Sequence, residues 1–176
     1  DPLVDAVLAA TKLDGDALVA RDGESLALAE WLRDKRELSR IGRPLLASVA
    51  ERGAHAELAR LLEAQDKSGL AAVFDTHQLI DVLRRWPAGW DADALVAALR
   101  PQAQRLYSIA SSRKRVGEEA HLTVDALRYQ AHGFEHVGAA SGFLASLEEG
   151  GSLPVYIEPN ERFSVTADAS RDIIMI

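Results

Sequence analysis

The sequence predicts an α+β protein in which helices come first and strands follow. In residues 1–100 the apolar side chains recur every three or four positions, which is the period of an amphipathic helix. After Pro101 they recur at every second position, which is the period of a strand. Apolar residues make up 48% of the 176 and charged residues 27%, so the composition is that of a folded globular chain. The change of period predicts a boundary near residue 100.

Six helices are predicted in residues 1–100, and each has a capping or breaking residue near one end. Asp1 and Pro2 begin the first. The others are predicted at about 25–37, from Pro44 to Gly53, around Leu58 to Leu62 with an end near Ser68, from Leu79 to Trp86, and from Asp91 to Pro101. The three tryptophans lie in this part and are expected to pack between helices.

Three strands are predicted after residue 100, at Leu106–Ala110, His121–Leu127 and Leu153–Ile157. A short helix is predicted over Ser141–Glu149, between the second and third strands. The continuous apolar run Asp172–Ile176 is typical of a strand covered on both faces.

The composition excludes several classes of function. Without cysteine the chain has no disulfide framework, no thiolate zinc site and no cysteine nucleophile. A net charge of −7 argues against nucleic acid or an anionic membrane as the main partner. No apolar run reaches the roughly 20 residues of a membrane span and no signal peptide is visible, so we expect a cytoplasmic protein. The only methionine is Met175, which suggests a piece of a longer protein.

Metal and nucleophile signals are weak. His132 and His136 are four residues apart but lack a third ligand, so we expect no metal site and solvated histidines. The triplet Arg113-Lys114-Arg115 is either a solvated turn or a contact for an anionic cofactor tail.

The segment Arg105–Ser112 combines three kinds of chemistry. An arginine suits a phosphate, the ring of Tyr107 suits a flat heterocycle, and the Ser108 hydroxyl can hydrogen-bond a ring nitrogen. Together they describe a dinucleotide-like ligand. An ordinary amphipathic strand with a surface arginine is the alternative.

The segment Gly138–Leu144 places small residues at the start of a helix. Such a start leaves backbone N–H groups open to an anion such as a pyrophosphate. A plain serine N-cap preceded by glycine is the alternative, but the two segments together fit one ligand.

Taken together, these segments resemble the flavin-binding signature of the diflavin reductases, a branch of the ferredoxin–NADP reductase superfamily. The resemblance continues through Thr123-Val124, Arg128-Tyr129 and Ile157–Phe163, and the helices before it resemble that family's connecting domain. It implies a connecting domain at 1–100. It also implies part of an antiparallel FAD-binding β-barrel at 101–176, ending in the first strand of an NADPH-binding domain.

The resemblance implies roles for individual residues. Arg105 corresponds to an arginine that binds the FAD phosphates, Tyr107 to a ring that packs on the isoalloxazine, and Ser108 to a catalytic serine near flavin N5. The remaining implied cofactor contacts are Leu106, Thr123, Val124, Asp125, Tyr129 and the pyrophosphate turn Gly138, Ala139, Ala140 and Ser141. Asp125 and Ala139 each stand where glycine is common in the family.

The resemblance also implies partners. It predicts an NADPH-dependent flavoprotein oxidoreductase that binds FAD here, with FMN and NADPH bound by other parts of the protein. Electrons would pass to the FMN domain and then to a haem-containing partner, and the chain alone is not expected to turn over NADPH. The alternatives are a helical spacer without flavin, or a related reductase with a different haem acceptor.

Overall fold

The chain begins with helix α1, Pro2–Thr11, whose N-cap is Asp1. The Asp1 carboxylate accepts hydrogen bonds from the amides of Leu3 and Val4 at 2.9 and 3.2 Å, as the sequence predicts. The computed structural model describes residues 1–63, 67–160, 168 and 170–172. Most of the apolar run at 172–176 and residues 161–163 of the resemblance therefore lie outside the described residues.

A β-hairpin follows α1 and corrects the prediction that residues 1–100 are entirely helical. Strands β1, Leu18–Arg21, and β2, Glu24–Ala27, pair antiparallel. Asp22 and Gly23 connect them with φ angles of 55° and 81°. Positive φ at both turn residues is the feature of the two-residue type I′ hairpin, for which Asp-Gly is a preferred sequence.

The predicted second helix is shorter than expected because β2 takes its first residues. It consists of α2, Leu28–Glu30, and a π-helical turn, Trp31–Lys35. The buried indole of Trp31 donates a hydrogen bond from Nε1 to the carbonyl of Val19 at 2.9 Å. This bond fixes the hairpin against the helices.

The described residues of the first part contain five further helices. They are α3 Arg43–Arg52, α4 Ala56–Glu63, α5 Ser68–Thr76, α6 Leu79–Arg85 and α7 Ala92–Ala98. The predictions at α3, α4, α6 and α7 are confirmed to within a few residues. The sequence pattern does not predict helix α5, because Ser68-Gly69 is typical of the end of a helix; in the structure these residues form the first turn of one.

The hydrophobic core lies within this first part. Its fully buried side chains come from every helix except α5, which contributes Leu70 and Val73 at 6% and 5% exposure. Trp31 and Trp86 are buried and Trp90 is partly buried against the core, as expected for packing between helices. Burial of so much apolar surface is the main source of stability of this part.

The residues after 100 are far more exposed. They form α8, Arg113–Val116, strands β3, Arg128–Ala131, and β4, Phe134–Val137, and helix α9, Ala139–Ser146. Strands β3 and β4 are a second antiparallel hairpin, turned by His132 and Gly133 at φ 51° and 73°. Helix α9 confirms a helix in the 141–149 region, two residues earlier than predicted.

The strands predicted at 106–110, 121–127 and 153–157 do not form ladders. Ile109 and Leu122 make one isolated antiparallel bridge, and within the described residues that is the only pairing of these segments. A strand needs a partner along its length, so apolar alternation alone does not make one. The α+β class is therefore confirmed as helices with two small antiparallel sheets, and the described residues contain no closed barrel.

The described helices include none that is both long and apolar enough to cross a membrane.

Candidate functional site

Two of the segments predicted to contact the ligand, 105–112 and 121–127, lie side by side. The amide of Ala110 donates to the carbonyl of His121 at 2.8 Å, and the amide of His121 donates to Ser111 Oγ at 2.9 Å. With the bridge at Ile109 and Leu122, these bonds hold the end of the 105–112 segment against the start of the 121–127 segment.

The second of these segments also contacts the predicted pyrophosphate turn. The amide of Gly138 donates to the carbonyl of Leu127 at 2.9 Å. The amide of Leu127 in turn donates to Ser141 Oγ at 3.3 Å. The amide and the carbonyl of Leu127 thus both bond to the turn. Segments 105–112, 121–127 and 138–144 are therefore connected to one another.

The turn at the start of α9 has the features of an anion cradle. As the first residues of the helix, Ala139, Ala140 and Ser141 have amides without intrahelical acceptors. Gly138 is the N-cap and offers no side chain, and a Cβ there would lie 2.4 Å from Ser141 Oγ. Glycine at 138 is therefore needed for Ser141 to reach Leu127, and the open amides give the turn the partial positive charge that attracts an anion.

A carboxylate of the helical part fixes the side chain of Arg105. Its Nη2 lies 2.6 Å from Oε2 of Glu37, and its Nη1 donates to the carbonyl of Ala103 at 2.8 Å. The arginine side chain is 23% exposed and that of Glu37 only 4%. Arg105 is thus an oriented cation that stays partly exposed to solvent.

The other predicted contacts differ in exposure. Tyr107 and Val124 are half-buried, and Leu106, Ser108, Thr123 and Asp125 are exposed. No described contact fixes the hydroxyl of Ser108. The arrangement leaves an apolar, solvent-facing surface beside Arg105, and Leu106 at 68% exposure is part of it.

Tyr129 is the best-fixed of the predicted aromatic contacts. Its ring stacks on that of His136 with centroids 5.0 Å apart and planes at 19°. Its hydroxyl accepts a hydrogen bond from Nε2 of Gln78, on the helical side, at 3.2 Å. Helix α6 therefore helps to set the position of Tyr129.

His136 corrects the prediction that His132 and His136 are both solvated, and His77 is buried as well. His136 is 1% exposed, because its side chain points from β4 onto Asp81 of α6 with Nε2 3.3 Å from Oδ1. His77 is 6% exposed, and its ring lies 4.2 Å, centroid to centroid, from that of His132. His132 itself is exposed at the hairpin turn, and its Nε2 lies 2.9 Å from the Thr76 carbonyl.

The surroundings of His77 favour its neutral form. Burial, followed by the nearby charges of His132 and Arg85, lowers the pKa of His77 below its ordinary value. Because Arg85 Nη1 faces Nε2 at 3.2 Å and can only donate, the ring proton is assigned to Nδ1, 2.8 Å from Thr76 Oγ1. In the described ranges no three acidic or histidine side chains are placed to hold a metal ion.

Three residues of the site were not found from the sequence: Glu37, Gln78 and Asp81. Each lies in the helical part, and its partner lies 51 to 68 residues further along the chain. No local pattern reports such a contact. A weak signal existed for His136, which shares the inward face of β4 with Phe134.

Comparison with known proteins identifies relatives over the whole chain, although no family model matches it. Proteins named sulfite reductase [NADPH] flavoprotein alpha-component are 39% identical over 180 residues in Shewanella sp. (strain ANA-3) and 36% over 178 residues in Mannheimia succiniciproducens. The protein of that name in Vibrio cholerae serotype O1 (strain El Tor Inaba N16961) is 40% identical over 175 residues. These alignments cover 99–100% of this chain.

The same alignments cover only part of the relatives. The chain spans 30% of the Shewanella and Mannheimia proteins and 28% of the Vibrio protein. The resemblance seen in the sequence is thus confirmed as a similarity to about three tenths of these flavoproteins.

Proposed function

Because the chain is similar over its whole length to sulfite reductase flavoprotein alpha components, we propose that it is the FAD-binding part of an NADPH-dependent diflavin reductase. The observation that carries this proposal is the turn at the start of α9, where open amides meet a glycine that no other residue can replace without displacing Ser141. Arg105, linked to the turn through the 105–112 and 121–127 segments, provides the second anion-binding group.

Each residue has a proposed task. Arg105 donates hydrogen bonds to a phosphate oxygen, and the amides of Ala139, Ala140 and Ser141 receive the pyrophosphate. Tyr107 and Tyr129 cover flat apolar surface, and the exposed Ser108 hydroxyl donates to the reactive edge of the ring. The remaining contacts of the proposed flavin surface are Leu106, Thr123, Val124, Asp125 and Gly138.

Bound FAD supplies the chemistry of hydride acceptance from NADPH and one-electron release. The chain's own contribution is binding, orientation and charge balance at the phosphates. In the whole protein, we propose, electrons go on to an FMN domain and then to the haem-containing subunit of sulfite reductase. The names of the relatives favour this acceptor over that of another diflavin reductase.

A second candidate is a helical spacer that binds no flavin. It is favoured by one observation: the segments at 106–110, 121–127 and 153–157 lack strand ladders in the described structure, and Val155 and Ile157 are 78% and 77% exposed. Under this alternative the apolar surface beside Arg105 has no cofactor role.

A direct titration separates the two candidates. The purified chain is mixed with FAD, and binding is followed by the flavin absorption and fluorescence. We expect saturable binding that Arg105→Ala weakens by about tenfold, the scale of one charge-assisted hydrogen bond. Arg33→Ala removes an arginine paired with Asp34 on the surface of the helical part and serves as the matched control. Failure of the unaltered chain to bind FAD would favour the spacer.

A further inference from the structure

The carboxylate of Glu37 links the helical part to the proposed phosphate-binding arginine. Its Oε2 lies 2.6 Å from Nη2 of Arg105, 68 residues away in sequence. Its other oxygen accepts from the amide and hydroxyl of Ser39 at 3.0 and 2.6 Å. With its side chain 4% exposed, Glu37 is a buried carboxylate that accepts three hydrogen bonds.

Backbone pairing fixes the two chain segments on which these side chains stand. The amide of Glu37 donates to the carbonyl of Arg100 at 2.9 Å, and the amide of Gln102 donates to the carbonyl of Lys35 at 2.9 Å. An antiparallel bridge joins Arg36 to Pro101 between these two bonds. The carboxylate is therefore held at a fixed place relative to the start of the 105–112 segment.

Glu37 is ionised at neutral pH despite its burial. Burial alone opposes the charged form, but the hydrogen bonds from Ser39 and Arg105 outweigh it and keep the pKa of Glu37 below its ordinary value. A charged carboxylate and a guanidinium at 2.6 Å make a short, charge-assisted contact.

Arg105 has N–H groups that the contact with Glu37 does not use. A guanidinium has five N–H groups, and the described contacts engage Nη2 with Glu37 and Nη1 with backbone carbonyls. Within the described part of the chain, no acceptor is assigned to Nε. The arginine can thus bind its carboxylate and an anion at the same time.

We infer that Glu37 is a positioning residue that holds the Arg105 guanidinium in the orientation required for a phosphate group of the ligand. The inference rests on the proposed function, which supplies FAD as the ligand. An arginine already ordered in the free protein loses less conformational freedom when the anion binds. The helical part thereby contributes to cofactor affinity without touching the cofactor.

The negative charge of Glu37 opposes this effect but is the weaker influence. Arg105 neutralises this charge directly. Glu37 also lines a cavity of about 260 Å³ together with Arg40 and Arg100. Three arginines and one carboxylate leave this junction positive in a chain whose net charge is −7. Because the charge of Glu37 is already neutralised, we expect the loss of arginine ordering to outweigh the loss of negative charge. Removal of Glu37 should then weaken anion binding.

The test compares FAD affinity in the full chain and three Glu37 variants. Glu37→Gln keeps the reach of the acceptor and loses the charge, whereas Glu37→Asp keeps the charge and loses the reach. We expect Gln to bind FAD within about threefold of the unaltered chain, and Asp and Ala to bind about tenfold more weakly, since an unordered arginine side chain costs about that factor. Glu57→Ala, which breaks the exposed pair with Arg85, is the matched control and leaves the affinity unchanged.

A double variant separates positioning from general damage to the fold. In an Arg105→Ala background, Glu37→Ala is expected to have no further effect on FAD affinity. An equal loss in both backgrounds, an Asp variant that binds as the unaltered chain does, or tighter binding by Glu37→Ala would each overturn the inference and leave the proposed function standing. No FAD binding by the unaltered chain would overturn both.

Discussion

Nε2 of His136 lies 3.3 Å from Oδ1 of Asp81, and each of these side chains is 1% exposed. The other carboxylate oxygen, Oδ2, accepts the amide of Gln78 at 2.8 Å at the start of α6. One buried aspartate therefore caps a helix of the first part and meets the β3–β4 hairpin of the second.

Replacing this aspartate is expected to destabilise the protein. Asp81→Ala removes the acceptor for the Gln78 amide and leaves His136 buried without its counterpart, which we expect to lower the free energy of unfolding by about 2 kcal/mol. Urea unfolding followed by circular dichroism measures this change. Asp75→Ala, on the exposed face of α5, is the control and changes stability by less than about 0.5 kcal/mol.

A comparison of two tryptophan variants measures how much one buried hydrogen bond contributes to the free energy of unfolding. Trp31→Phe removes the Nε1 donor to the Val19 carbonyl and is expected to cost about 1–3 kcal/mol in addition to the lost packing. Trp90→Phe removes a buried Nε1 for which the described residues offer no acceptor, so its hydrogen-bond cost is expected to be near zero. Equal losses of unfolding free energy in both variants would contradict the role given to Trp31 at the first hairpin.

Gly142 is expected to tolerate no side chain. A Cβ at this buried position of α9 would lie 2.2 Å from Cγ1 of Val137, whose branched side chain has little freedom to move. Gly142→Ala is therefore expected to lower the free energy of unfolding by about 1 kcal/mol or more, even though alanine favours a helix. Gly89→Ala meets no atom within 4 Å and is expected to leave the thermal midpoint unchanged or slightly higher.

Stability is expected to fall in mild acid through His77. Because burial and its cationic neighbours lower the pKa of His77, the unfolded chain takes up this proton at a higher pH than the folded chain does. The stability that neutral His77 contributes is complete above about pH 6.5 and is lost as the pH falls from there toward the lowered folded-state pKa.

Unfolding free energies at about pH 8 and pH 5.5 test this dependence, since these values bracket the ordinary histidine pKa. We expect His77→Gln to reduce the difference between the two. His121→Gln, which alters a histidine with a 58% exposed side chain, is expected to keep the difference seen in the unaltered chain.

The sequence predicted the helical part well because its signals are local. Asp1 and Asp91 cap helices as their positions indicate, and the apolar spacing of α3, α6 and α7 matches the faces that are buried. The Asp22-Gly23 hairpin was missed although its turn chemistry is visible in the sequence, since a short strand next to a helix has too few residues to establish a period of two.

The second part was harder to predict for a physical reason. Segment 106–110 has the alternation of a strand, but a ladder depends on what lies alongside, and the described chain offers a partner only at Leu122. For the candidate site, the pattern indicated the proposed ligand contacts, such as Arg105 and Gly138. It could not indicate Glu37 or Asp81, because those contacts depend on how distant segments pack.

The β3–β4 hairpin reaches the helices through Gln78 and Tyr129, Thr76 and His132, and Asp81 and His136, contacts that span 51 to 56 residues. The chain entropy lost in bringing the two segments together is nearly the same whether one contact forms or three. Once the first contact exists, the other two therefore form at little further entropic cost. The docking of this hairpin is consequently expected to be all-or-none, and to follow the folding of the helices, whose contacts are closer in sequence.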